Sequence, residues 1–101
     1  MLNNTPLSIA ANTLASSTIE AVRRSPSFHA RAWHILDRWA FNSPKQLLQM
    51  EGQGELILLE RLLKQQEIEQ RALTSLDGLA QRGHGLTEHE ILALYDISLA
   101  L

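Results

Sequence analysis

A chain of 101 residues with 19 leucines, 11 alanines and a single valine, Val22, has little material for a β-sheet. Straight-chain and small residues lose little freedom in a helix, whereas strands favour β-branched and aromatic side chains. No strict alternation of apolar and polar residues runs long enough to compete. The expectation is an all-α fold, an irregular bundle of four to five helices. It forms a single helical domain over residues 1–101, the length of one ordinary domain. With 45% hydrophobic and 20% charged residues, the chain has the apolar content of a folded protein.

The helix boundaries follow from caps and breakers. Thr5-Pro6 opens a first helix that carries Leu7, Ala11, Leu14, Thr18 and Val22 at three- and four-residue steps and stops before Ser25-Pro26. A second starts at residues 25–27, carries Phe28, Ala32, Ile35, Leu36 and Trp39, and ends before Asn42. Ser43 and Gln46 fit a capping box for a third, Pro44 to Met50, which Gly52-Gln53-Gly54 interrupts. A fourth runs from Glu55 through a leucine-rich opening. Unbroken to Arg82 it would measure about 42 Å, against about 34 Å for a compact domain of this size, so a break near Asp77-Gly78 is expected. Thr87 and Glu90 form a second capping box, with Leu86 and Ile91 as its hydrophobic staple, and the last helix runs from there to the chain end. The predicted core is Leu14, Val22, Phe28, Ile35, Trp39, Leu59, Leu63, Leu73, Leu76, Ile91, Leu94 and Ile97.

Function narrows mainly by exclusion. The chain has no cysteine, which removes disulfides, zinc–thiolate sites and thiol nucleophiles. His29 and His34 are five residues apart, as are His84 and His89, whereas ligands on one helical face need spacings of three or four. No Gly-x-Ser-x-Gly elbow and no phosphate-binding glycine loop is present. Glu51 and Glu55 could approach each other, but across a glycine-rich turn that does not provide the dry setting a catalytic pair needs. The expectation is therefore no enzyme activity, no catalytic residue, no metal, no cofactor and no small-molecule substrate. No apolar run is long enough for a membrane span, and the uncharged stretch Met1–Thr18 lacks the basic start of a secretory signal, which predicts a cytoplasmic protein.

What remains is surface. Residues 1–50 carry five basic and two acidic side chains, a net of +3, and residues 51–101 carry four and nine, a net of −5. Such polarity steers association with a partner protein or with a second copy of the chain as a homodimer. Arg31, His34 and Arg38 recur at helical spacing with Trp33 nearby, and these four are the candidate partner-binding patch. Leu56, Leu59 and Leu63, in a stretch more apolar than one buried stripe requires, are the candidate self-association surface. An overall charge of −2 disfavours nucleic acid as a partner.

Two local resemblances add alternatives. The segment Thr87–Ser98 resembles the first helix and turn of a helix-turn-helix domain, with Ala93 as the small residue, Asp96 in the turn and Ile97-Ser98 opening the next helix. The resemblance implies a DNA-binding transcriptional regulator. It departs from the pattern in having aspartate where glycine is usual and only three residues after Ser98. The uncharged start and the Ser43-Pro44-Lys45-Gln46-Leu47-Leu48 segment are similar to small helical components and chaperones of secretion systems. The main expectation is a small non-enzymatic regulator or inhibitor that acts through a helical surface, in the manner of antitoxins, immunity proteins and inhibitors from phages or other mobile elements.

Overall fold

A computed structural model describes residues 7–101. These form seven helices, α1 Ser8–Thr13, α2 Ser16–Arg24, α3 Ala30–Asn42, α4 Pro44–Gln53, α5 Glu55–Thr74, α6 Leu76–Gly83 and α7 Glu88–Leu94, and no strand. The all-helical class holds. The count of four to five does not, because two of the expected helices are each divided. The first splits at Leu14-Ala15, both in extended conformation. The fourth breaks at Ser75, two residues before the expected Asp77-Gly78. The Thr5-Pro6 cap lies outside the described residues. No described helix is long and apolar enough to cross a membrane.

The chain divides into two compact units, one running to Gln66 and including Ala100–Leu101, the other Glu67–Leu99. In the first, α1 packs on α3 and on α2, and α3 on α4. Its core gathers Leu7, Leu14, Val22, Phe28, Ile35, Trp39, Leu47, Leu58 and Leu62, among others. Leu59 and Leu63, expected at the centre, are only partly buried against it. The Arg61 guanidinium lies 5.0 Å from the centre of the Trp39 ring, within cation–π range.

The first unit caps its helices from a distance. None of α1, α2, α3 or α4 receives a side-chain bond from its own N-cap residue. Instead Asp37, in the middle of α3, accepts the Leu7 and Ala10 N–H groups at 2.8 and 2.9 Å. Glu51 of α4 accepts the Ala15 N–H at 2.9 Å and the Thr18 hydroxyl at 2.7 Å. Buried Gln66 of α5 accepts the His29 N–H at 3.1 Å and donates to the Ser27 carbonyl at 2.9 Å. The N–H groups of Leu7, Ala10, Ala15 and His29 are donors that the start of a helix leaves unpaired, and these bonds satisfy them. They also account for two misplaced boundaries. A carboxylate at Ala15 replaces the intrahelical partner and divides the first helix. The amide of Gln66 holds residues 27–29 out of the helix that was expected to start there. The expected Ser43–Gln46 box is absent, because Ser43 sits at φ −142° and ψ 56°, away from the extended geometry of a capping serine. Helix α4 passes through Gly52 and stops at Gly54, whose φ of 149° suits glycine.

The second unit has a smaller core of Ala72, Leu73, Ile91 and Leu92, with Leu86, Ile97 and Leu99 packed against it. Its helices are capped locally. The Ser75 hydroxyl accepts the Gly78 N–H. The expected Thr87–Glu90 box forms in both directions, at 3.2 and 2.8 Å, and Leu86 and Ile91 share the core as a staple would. Both helices end in Schellman motifs. In α6, Leu86 N–H bonds to Gln81 O and Gly85 N–H to Arg82 O, with Gly85 at φ 93°. In α7, Ile97 N–H bonds to Leu92 O and Asp96 N–H to Ala93 O, with Asp96 at φ 57°. This turn stops α7 at Leu94, not at the chain end, and residues 97–101 form no helix.

Candidate protein-binding surface

The four residues of the expected binding patch all lie on α3, but they do not share one face. At about 100° per residue, positions 31, 34, 38 and 41 fall within about 80° of one another, and position 33 lies on another flank. There Trp33 packs partly buried against the first core, and its indole N–H is buried without an acceptor among the described residues. His34 is exposed, whereas Arg31 and Arg38 are half-buried and each already has an interaction partner. Phe41, not singled out from the sequence, completes the His34 flank and is 73% exposed. Of the expected self-association residues, Leu56 is 74% exposed, while Leu59 and Leu63 lean on the core.

Glu51 and Glu55 do converge, on the Thr18 hydroxyl at 2.7 and 3.4 Å. That hydroxyl has one proton, so the shorter contact is the hydrogen bond, and the pair serves the start of α2. His29, His34, His84 and His89 are all exposed. No three acidic, histidine or cysteine side chains gather into a metal site among the described residues.

The second unit contains an apolar groove of about 350 Å³ lined by Ile68, Arg71, Ala72, Ser75, Tyr95 and Ile97. Its hydroxyls are engaged within the unit. Tyr95 donates to Asp77 at 2.8 Å and lies 3.2 Å from the Ser75 oxygen. Ser75 itself donates to the Ala72 carbonyl at 2.9 Å and accepts from Gly78.

The most unusual surface lies on α6. Leu76, Leu79, Ala80 and Gly83 stand at i, i+3, i+4 and i+7, the spacing of a core-facing stripe. All four are exposed, Leu76 by 90% and Leu79 by 52%. The residue that α6 buries is Gly78. A Cβ there would collide with the carbonyl oxygen of Ala72. The helix is therefore seated on its glycine, and its leucines point away. This overturns Leu76 as a core residue: the break at Ser75 takes it out of the Leu73 stripe. Leu94, also expected in the core, is 61% exposed beside the turn that ends α7. Ile97 packs only partly buried. The signal in the sequence was the glycine between two leucines, which marks the face of closest approach.

No protein-family model, no curated protein and no solved structure matches this chain.

Proposed function

We propose that this protein is a small non-enzymatic regulator or inhibitor that works by protein binding through a helical surface. The observation that carries this reading is the outward apolar stripe of α6. An amphipathic helix normally turns such a stripe inward, because burying a leucine stabilises by about 1.5–3 kcal/mol. A stripe left in water on a short, well-capped helix is what a docking site looks like before its partner arrives. The reading moves the centre of the surface from Arg31, Trp33, His34 and Arg38 to Leu76 and Leu79, with His34 and Phe41 as a separate exposed flank of α3.

The test is affinity capture with the double variant Leu76→Glu and Leu79→Glu beside Arg31→Glu with Arg38→Glu. The leucine variant should lose partner capture with an unchanged melting temperature, since neither side chain is buried. The arginine variant should lose stability, since both arginines already have partners in the fold. Undiminished capture by the leucine variant would remove α6 as the binding surface.

A further inference from the structure

We infer that the groove of the second unit binds a small amphipathic carboxylate, a straight-chain alkanoate of medium length, with Arg71 holding its head. The ligand is held and not converted. The inference is independent of the α6 stripe, since none of Leu76, Leu79, Ala80 and Gly83 lines the groove.

The first argument is the state of Arg71. Residues 67–99 carry six acidic side chains and two arginines. Arg82 is paired with Glu88 at 3.3 Å. Arg71 is exposed and pairs with no carboxylate among the described residues. Glu67 stands four positions before it on α5, the spacing of a helical ion pair, and is not engaged. The arginine lies instead in the wall of the groove. A guanidinium presents a planar fork of donors that fits the two oxygens of a carboxylate.

The second argument is the rest of the lining, which suits an apolar body. Ile68, Ala72 and Ile97 offer hydrocarbon, and Tyr95 offers a ring. Both hydroxyls already have partners. Tyr95 donates to Asp77, and Ser75 donates to the Ala72 carbonyl and accepts from Gly78. Arg71 is the side chain of the lining left with donors to give. Polar groups elsewhere on a ligand would lose water without replacement. The bonds at its hydroxyl also fix the Tyr95 ring, so this wall stands before a ligand arrives.

The third argument is size. A volume of about 350 Å³ lies at the lower end of small-molecule sites. Positions 68, 71, 72 and 75 follow one another at i, i+3, i+4 and i+7, so the floor is a strip about 10 Å long. That volume over that length takes an extended alkyl chain laid along α5. It is too narrow for an α-helix of a partner, which is about 10–12 Å across with its side chains.

Tyr95 is the only tyrosine of the chain, so isotope-labelled tyrosine gives one ring signal that reads the groove by NMR. Sodium octanoate should shift that signal saturably in the full chain. Octanol, with the same tail and no charge, should bind on the order of ten-fold more weakly. The acidic surplus of the unit repels anions in general, so this preference reports Arg71 and not a diffuse positive surface. Arg71→Gln should lower octanoate affinity to that of octanol and leave octanol binding unchanged. Arg71→Glu should reverse the preference, taking octylammonium in place of octanoate. Both variants should keep the wild-type melting temperature, because Arg71 is exposed and holds nothing in the fold. Three results would overturn the inference: no saturable shift with octanoate, octanol binding the wild type as tightly as octanoate, or undiminished octanoate binding by Arg71→Gln.

Discussion

Asp37 lies within α3, yet its carboxylate closes the start of α1 by accepting two backbone N–H groups 27 and 30 residues away. One of these belongs to Leu7, a buried residue held at φ 72°, where a bulky side chain is strained. Removing the acceptor leaves two donors unpaired at the edge of the core. Asp37→Ala should therefore destabilise by about 2–3 kcal/mol in urea unfolding, and Asp37→Asn by less. Glu90 offers a pH test. The Thr87 backbone N–H, and after it the Thr87 hydroxyl, hold its carboxyl below the ordinary glutamate value. A folded value below the unfolded one means the contribution is complete above the unfolded value. It is lost as the pH falls through the lowered one. Glu90→Gln keeps a capping-box acceptor without the charge, so its stability curve should be flatter than the wild type's across that acid window. Matching curves would show that the carboxylate contributes nothing there.

At the scale of elements, the second unit is capped locally and the first from a distance, and this sorts what a sequence reader can see. Thr87-x-x-Glu90 with Leu86 and Ile91 is complete within six residues and forms as read. The caps on α1, α2 and α3 come from Asp37, Glu51 and Gln66, each more than 25 residues away from at least one partner. No local pattern announces them, and the boundaries they set were the ones misjudged. Helix α6 shows how one glycine turns an element. Gly78→Ala should improve helix propensity in isolation. In the folded chain its Cβ meets the Ala72 carbonyl, which is backbone and cannot swing aside. The variant should lose about 1–3 kcal/mol in thermal unfolding, the ordinary cost of overpacking. A neutral or stabilising result would mean that α6 is not seated on its glycine.

At the scale of the molecule, the two units differ in how much apolar surface they bury. Among the described residues the first core gathers fourteen buried side chains and the second four. Opening free energy follows buried contacts. At low protein concentration, the amides of α6 and α7 should exchange with deuterium at least about ten-fold faster than those in the middle of α3. Mass spectrometry of peptides covering 30–42 and 76–94 reads the difference. Equal protection would mean that the two units open as one.

The residue list by itself pointed to the helical class, because leucine and alanine together far outnumber the β-branched residues and no apolar–polar alternation runs long enough to compete. It also determined the Thr87 cap and much of the first core, where Ile35 and Trp39 recur at helical spacing on α3 and are buried with Val22 and Phe28. Tertiary structure alone decided which apolar stripes face inward. Periodicity identifies a stripe but not its partner, and Leu76 and Leu79 satisfy the pattern as fully as Ile35 and Trp39 do. The difference lies in the Gly78–Ala72 contact, a steric fact about two backbones in close approach. It leaves Leu76 almost wholly in water and makes a surface of what reads, in one dimension, as core.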